Sequence, residues 1–568
     1  MRRPVGGISR GLKARSTRAD LRVAPAVLTV PRGLPDTVHP FIDASVILFL
    51  AHQFRILLPR NFVPAMPTIA AIDVGSNAIR LAIGSTDTER HITPVDNLRE
   101  AVRLGQDAFS SGVLSDQTID QASDTFARFK EAMDLHGVTW SKAVATSAVR
   151  EAMNRDMFLD RMAQVSGIEI SVIGPEEEAR LIHLAVAEKV TLKNRTAMLV
   201  DIGGGSTEVT LVVDGSIVST ESYKMGSVRL LQVLEGRKQG ERKFNQLVRE
   251  YVDATQQRLK REIGNKKIDL CIGTGGNIET LGTLRKEILK KDRDTVLDVD
   301  ELDALVRKLH ALTYEERIQQ LRLRPDRADV IVPASIILQH IVKVAGVDEV
   351  VIPKVGLKDG LLLDMIGELY GDEKHAHRDQ VLASAMQVGR KYFFDEQHAT
   401  AVSRYAVQLF DQTRTLHNLT LEHRLLLEVA ALLHDIGNFI SMTDHHKHTQ
   451  YLLTATPVIG LGQSQMAIVA NAARYHRKSF PKPQHDAYRI LSSKERVLVS
   501  KLAALLRLAD AMDNEHAAKV RSFTVEIRKP KVTLVLKGEG DLLLEKWALM
   551  KKAEMFEEVF GVRVNIED

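Results

Sequence analysis

Two stretches of this chain read as versions of one another, and that repeat constrains the fold more than any other feature. Ile69–Ile83 (IAAIDVGSNAIRLAI) and Met198–Val213 (MLVDIGGGSTEVTLVV) each read as a strand, an Asp-x-Gly turn and a second strand. In both, an apolar strand delivers a carboxylate, Asp73 or Asp201, to its tip. Glycines then let the backbone turn tightly with N–H groups pointing inward. The 568-residue chain is longer than one hydrophobic core supports. Two such hairpins, about 130 residues apart, predict two similar lobes facing a cleft.

A third glycine turn, Ile272-Gly273-Thr274-Gly275-Gly276-Asn277, follows a short strand expected over Ile268–Ile272 and opens a helical pattern. Successive backbone N–H groups in such turns form concave anion sites, and a nearby carboxylate can hold the cation that neutralises phosphoryl oxygens. Gly203-Gly204-Gly205 alone is equally a tight hairpin turn. Three turns, two of them preceded by Asp at a strand end, point to phosphate.

Strands alternating with amphipathic stretches at 119–135, 154–166, 176–190 and 241–261 indicate an α/β class. After about Gly371 the pattern becomes helical through residue 520. Residues 521–568 then read strand (Phe523, Val525, Ile527), turn at Lys529-Pro530, strand (Val532, Leu534, Leu536), helix and a last strand (Val562, Val564, Ile566). The expected parts are lobes over 68–200 and 201–375, a helical domain over 376–520 and a small α+β tail over 521–568.

Residues 1–65 contain Arg-rich, Pro-interrupted pieces without a sustained period, and Val46–Ala51 lacks the cleavage site of a secretory signal. They are left out of the fold. An upstream start error, with the protein beginning at Met66, is the leading reading, and a transit-like or basic tail the alternative. Deleting residues 1–65 is expected to leave folding and activity unchanged; a large fall in melting temperature on truncation refutes this.

The formal charge of +4 is concentrated in that segment, which holds +7 and leaves −3 for the rest. A nucleic-acid face would need Lys/Arg clustered in the folded part, so none is expected. No stretch approaches the ~18 uninterrupted apolar residues of a spanning helix, so no membrane association is expected. A single cysteine, Cys271, excludes a disulfide framework and fits the cytoplasm.

Five ordered segments carry a family resemblance: Ile72–Asn77, Ala145–Asn154 (ATSAVREAMN), Glu177–Ile182 (EEARLI), Asp201–Glu208 (DIGGGSTE) and Gly273–Gly276 (GTGG). In them the chain resembles the exopolyphosphatase/guanosine pentaphosphate phosphatases of the actin, sugar kinase and heat-shock ATPase superfamily. The resemblance implies actin-like, ribonuclease H-like lobes, Mg²⁺ with a monovalent cation, a homodimer and a place in the stringent response. By position, Glu178 matches the catalytic base and Arg150 the arginine that grips substrate phosphate. Asp201 and Glu208 match the metal-holding carboxylates, and Asp73, which shapes the first loop, is counted with them as a metal residue of the cleft. The phosphate-binding turns are Gly75, Ser76 and Asn77; Gly203, Gly204, Gly205 and Ser206; and Gly273, Thr274, Gly275 and Gly276.

Physical reasoning supports Glu178, because hydrolysis of a phosphoanhydride needs an oriented water and a carboxylate to take its proton. On the residues alone, Glu176, Glu177 and Glu178 also read as the acidic first turn of a helix that Pro175 opens. A guanidinium fork such as that of Arg150 suits bidentate phosphate binding, although a lone Arg at a helix start also reads as a solvated surface group. The turn Val355–Gly360 carries Lys358 and Asp359 where the family more often has Arg and Glu.

The expected function is release of terminal orthophosphate from inorganic polyphosphate. Guanosine pentaphosphate 5′-phosphohydrolysis is the runner-up, and an actin-like kinase or a guanosine penta/tetraphosphate sensor without turnover are further alternatives.

The helical region holds a second constellation. His434-Asp435 ends the apolar run Leu425–Leu433, with His398 before it and Asp510 after it. The order His, His-Asp, Asp resembles the HD metal-dependent phosphohydrolases and implies a divalent metal in an HD domain. His446, His448 and His476 are candidate additional ligands. A degenerate HD domain that serves dimerisation and polymer binding is the alternative, with Arg507 as the group that would neutralise Asp510.

Overall fold

The first strand, β1 (Thr68–Val74), is buried at every position after Thr68, as a central strand of a sheet covered on both faces must be. It pairs antiparallel with β2 (Ile79–Thr86), which pairs with β3 (Ile92–Glu100). On its other side it lies parallel to β4 (Trp140–Ala145), and β4 to β5 (Ile170–Val172). The sheet order is β3-β2-β1-β4-β5. The computed structural model describes residues 67–87, 89–234, 240–264, 266–370 and 373–567. The expectations for residues 1–65 lie outside the described residues.

The second sheet repeats the plan. β6 (Thr196–Ile202) pairs antiparallel with β7 (Thr207–Val213), which pairs with β8 (Ser216–Tyr223), and β6 lies parallel to β9 (Leu270–Thr274). Two short strands, β10 (Val296–Asp298) and β11 (Glu349–Val351), extend it to the order β10-β11-β9-β6-β7-β8. β6 belongs wholly to this sheet, so the junction between sheets falls before Thr196 and not at 200/201. β9 starts two residues later than expected, because the Asp269 carboxylate instead accepts from the Thr196 N–H at 2.9 Å. The amphipathic stretches form helices at Asp116–Leu135, Arg155–Ser166 and Pro175–Lys189, while 241–261 is broken into Glu241–Asp253 and Gln256–Ile263.

After β11 the chain does not stay with the second sheet. The helix Leu357–Tyr370 buries Leu357, Leu361, Leu362, Met365 and Ile366 in a core shared with Ile69 and Ala71 of β1 and Leu181 and Ile182 of the helix Pro175–Lys189. The apolar pattern fixes which face is buried, but not against what, and the 201–375 boundary missed this return.

The remaining residues form a helical bundle followed by a three-stranded sheet, β12 (Val520–Arg528), β13 (Lys531–Gly538) and β14 (Arg563–Glu567), in that order. Phe523, Val532, Leu534, Leu536 and Phe556 of this tail belong to the same core as Val402, Leu427 and Leu505 of the bundle. The tail is therefore a wall of the helical domain. Among the described residues one helical stretch, Pro325–Ala345, is long and apolar enough to cross a membrane, but 72% of its most apolar 18-residue window is buried inside the protein.

Candidate active site

The duplicated hairpins close their turns identically. The Gly75 N–H donates to the Ala78 carbonyl at 3.2 Å and the Gly203 N–H to that of Ser206 at 3.1 Å. Their registers set Asp73 opposite Arg80, and Asp201 opposite Glu208. One position therefore differs in charge between the repeats, and the chemistry follows from it. In the first hairpin Arg80 Nη1 donates to Asp73 Oδ2 at 2.7 Å, giving a neutral pair. In the second, two carboxylates face one another.

The loop Gly203-Gly204-Gly205 is held from behind. The N–H groups of Val228 and Arg229 donate to the Gly204 carbonyl at 2.8 and 2.9 Å, and that of Ser227 to Gly203 at 3.1 Å. The approach leaves no room for a side chain at Gly226, where a Cβ would lie 2.3 Å from the Gly205 carbonyl carbon. The carbonyls of Gly203 and Gly204 are thus engaged from behind, while the Gly203 N–H closes the turn on Ser206. Gly275, at φ +91°, makes the corresponding turn before the helix Gly276–Leu289 and takes up a backbone conformation that L side chains rarely adopt.

A cavity of about 270 Å³ lies between these turns. Of the expected residues, Asp73, Gly75, Ser76, Asn77, Glu178, Asp201, Gly203, Gly204, Ser206, Gly275 and Gly276 line it. Gly205, Gly273, Thr274 and Glu208 stand directly behind: Thr274 Oγ1 donates to Asp201 Oδ1 at 2.6 Å, and Ser222 Oγ to Glu208 Oε1 at 2.9 Å. Arg150 is not a lining residue. Its guanidinium donates to the Ile173 carbonyl and stands 3.9 Å from Glu178, where it acts as a counter-charge.

The acidic triplet resolves by partner. Glu177 is taken by Arg180 in two hydrogen bonds of 2.8 Å, and neither it nor Glu176 lines the cavity. Glu178 is buried, and its Oε2 has no hydrogen-bond partner. Glu208 Oε2 is orphaned in the same way. Ligand oxygens of Glu178, Asp201 and Glu208 all lie within 4.8 Å of one another. Burial, followed by the charge of Glu208, holds the Glu178 carboxyl well above the ordinary range. Burial pushes Asp201 up to about 6. Burial, followed by Asp201, pushes Glu208 up to about 7. Three crowded carboxylates, two of them with an orphaned buried oxygen, fit a hard divalent cation. Asp73, already paired with Arg80, stands outside this set.

Sequence reasoning missed the basic wall. Arg80, Arg327, Lys354 and Lys358 line the cavity, the last from the turn Val355–Gly360 that departs from the family pattern. Arg327 is buried with its Nη1 on Asn277 and its Nε unpartnered. Burial and the neighbouring Arg80 and Arg99 lower its pKa to about 10, which leaves it charged at neutral pH. No local pattern marks it, because its partner Asn277 is 50 positions away.

The Ppx/GppA phosphatase family model matches residues 85–369, half the chain, and the model for Ppx/GppA phosphatase, domain III, matches residues 382–555. The chain belongs to the Ppx/GppA phosphatase family. It is 27% identical over 450 residues to the guanosine-5′-triphosphate,3′-diphosphate pyrophosphatase of Aliivibrio fischeri, covering 78% of this chain and 86% of that one. The protein of the same name from Vibrio vulnificus is 26% identical over 480 residues, covering 84% and 91%. The crystal structure of an exopolyphosphatase from Cytophaga hutchinsonii matches with a TM-score of 0.50 at 26% identity, over 53% of this chain and 98% of that one. As a Ppx/GppA family member the chain is a hydrolase with a mixed α/β fold.

The raised carboxyls of this phosphatase carry a pH signature. A carboxyl whose folded pKa exceeds its unfolded value stabilises the fold fully below the unfolded pKa, and that stability is lost as pH rises through the folded one. For Glu208, raised from 4.5 to about 7, the loss between those pH values corresponds to roughly 3 kcal/mol. Chemical denaturation in chelator from pH 4.5 to 7.5 is expected to show wild-type stability declining more steeply than that of Glu208→Gln. Equal slopes would contradict the assignment.

The second constellation also assembles. His398, His434 and Asp510 converge, as do Asp435, His445 and His476. Arg507 does not neutralise Asp510: it donates to the carbonyls of Tyr475, Lys478 and Ser479, and Lys552 pairs with Asp510 instead. His398, Asp435 and His516 form a third group, and among the described residues His446 and His448 are absent from all three.

Proposed function

We propose that this chain is an exopolyphosphatase that releases terminal orthophosphate from inorganic polyphosphate in a cleft between two actin-like lobes. The observation that carries this reading is the buried, unpartnered Glu178 Oε2 in a cavity that the glycine turns, Arg80, Arg327, Lys354 and Lys358 also line. The backbone N–H groups of the glycine turns and the guanidinium of Arg327 receive the terminal phosphoryl group, and Lys354 and Lys358 the next. Glu178 accepts a proton from water as the water oxygen bonds to the terminal phosphorus. The bridging P–O bond breaks, its electrons leave with the shortened chain, and Arg150 opposes the charge on Glu178. Asp201 and Glu208 would hold a divalent cation, for which Mg²⁺ is the natural choice with oxygen donors. Such an ion would neutralise phosphoryl oxygens and favour the carboxylate form of Glu178. The monovalent cation and the homodimer rest on the resemblance alone, and the cytoplasmic setting on the single cysteine.

Hydrolysis of guanosine pentaphosphate is the second reading, favoured by the printed names of the Aliivibrio and Vibrio relatives. Polyphosphate is preferred because none of the described residues lining the cavity is aromatic, which leaves no stacking platform for a guanine base. Orthophosphate release from the two substrates, measured side by side with Mg²⁺ and without an acceptor, is expected to give the higher kcat/KM for polyphosphate. A higher value for guanosine pentaphosphate would reverse the preference. Binding of either without release would make the protein a sensor.

A further inference from the structure

A cluster of arginines beside the cleft carries more hydrogen-bond donors than its own partners satisfy. The register of β2 and β3 sets Arg80 directly opposite Arg99, so two like charges share one face of the sheet, an arrangement that is unfavourable without a counter-charge. Asn97, two residues before Arg99, lies on the same face, and both Asn97 and Arg80 line the cavity. Arg99 pairs with Asp326, and Arg103 pairs with Asp329 at 2.7 Å. Both carboxylates belong to the segment Arg324–Asp329 around the short helix Pro325–Ala328. That segment also brings Arg327 into the cavity wall and sets Arg324 3.7 Å from Asp326.

These pairings leave part of each guanidinium fork unused. Arg99 Nε, Arg103 Nε and Nη2, and Arg327 Nε are buried without a hydrogen-bond partner. A buried donor with no acceptor costs its full desolvation, so these nitrogens call for acceptors from outside the chain. The charge points the same way: the guanidinium groups of Arg80, Arg99, Arg103, Arg324 and Arg327 meet only the carboxylates of Asp73, Asp326 and Asp329. Lys354 and Lys358, by contrast, are each paired with a carboxylate of their own, Asp294 and Asp359. Water would satisfy the spare donors and leave the charge; an oxyanion satisfies both.

We propose that Arg99, Arg103 and Arg324 form a second phosphate subsite, beside the seat that Arg327 and the glycine turns give the reacting group. It takes a phosphate anion, either a phosphoryl group further along the substrate chain or a free orthophosphate ion. The proposal rests on the reading of the cleft as a polyphosphatase site. Side-chain exposure rises from the buried Arg327 through Arg99 at 18% to Arg324 at 56%, which leads from the cavity to the surface, as a chain longer than the cavity requires.

Two variants of the full-length protein test it. Arg99→Lys/Arg103→Lys keeps both charges and gives up the spare donors of the fork, and Arg324→Ala removes a half-exposed side chain. In each, KM for long-chain polyphosphate is expected to rise about tenfold, the worth of a charge-assisted hydrogen bond, while KM for tripolyphosphate stays within about twofold and kcat holds. Calorimetric titration separates the two sources of phosphate. If wild type binds two orthophosphate ions and each variant one, with no dependence on chain length, the subsite holds the free ion. A fall in melting temperature with equal change for both substrates would make the arginines structural and overturn the subsite. Unchanged binding of orthophosphate and of long chains would overturn it as well, with water alone on the donors. Calorimetric binding of long chains reads the subsite even if wild type releases no orthophosphate, a result that would sink the polyphosphatase reading alone. Should the double variant fail to fold, Arg324→Ala decides.

Discussion

Glu178→Gln is expected to lower kcat for orthophosphate release about 10²- to 10⁴-fold and to leave KM within roughly twofold, as loss of a proton acceptor used only in the transition state requires. Glutamine keeps the length and shape of the side chain, so phosphoryl groups still meet the same glycine turns and the same Arg327. Stability gives a second reading. Glu178 is a buried carboxyl held well above its ordinary pKa by burial and by Glu208. Replacing it with a neutral amide removes a like-charge neighbour, so the melting temperature should hold or rise while activity falls. Glu177→Gln tests the register, because its partner is Arg180 at 2.8 Å and it faces away from the cavity. It is expected to keep kcat and to lose stability, because the buried Arg180 gives up its two hydrogen bonds to Glu177 and keeps the 2.7 Å pairing with Asp364. Mg²⁺ titration separates the remaining rival: a lost metal ligand is recovered at high Mg²⁺, and a lost base is not. Full recovery, or a loss confined to Glu177→Gln, would remove Glu178 from the role.

The contrast between what was and was not legible in the sequence follows the range of the interactions. The two hairpins and the third glycine turn are local: strand, carboxylate and glycine lie within a dozen residues, so their pattern announces itself. The pairing of Asp73 with Arg80 and of Asp201 with Glu208 was within reach as well. Both pairs are seven positions apart across the same turn, and reading that spacing as a cross-strand register would have shown that only the second hairpin has charge to spare. Arg327 and the crossing of the helix Leu357–Tyr370 to β1 were beyond reach, because each depends on which distant segment supplies the partner. The histidines show a third limit. His445, His446 and His448 lie in one short stretch, and the choice among them depends on the phase of the helix His445–Ala455. That phase is set by Asp444 at φ +57°, a conformation its composition does not announce.

Gly360→Ala is expected to be the most damaging change outside the reacting groups, costing about 3 kcal/mol of stability, the upper end for overpacking, and on the order of 10² in kcat. Within the turn Val355–Gly360 this residue reads as a loop glycine, yet it lies inside the helix Leu357–Tyr370, where glycine is normally unfavourable. Its reason is the neighbouring helix. A Cβ on Gly360 would sit 1.9 Å from the Leu181 carbonyl oxygen and 2.5 Å from its carbon, and both atoms are backbone. No rotamer change relieves that clash; the helix Pro175–Lys189 has to retreat by more than an ångström. Leu181 is one helical turn from Glu178, so the retreat carries the base away from the phosphoryl site while the turns of both hairpins stay in place. The variant should therefore lose kcat with less effect on KM, and its melting temperature should fall by several degrees. Gly356→Ala, four residues earlier, has nothing within 4 Å of the added methyl and should melt with the wild type. If Gly360→Ala melted with the wild type and kept its kcat, the helix Pro175–Lys189 would have to be free to slide without moving Glu178. The position of the base would then be set by Arg150 and the cleft, and not by helix packing.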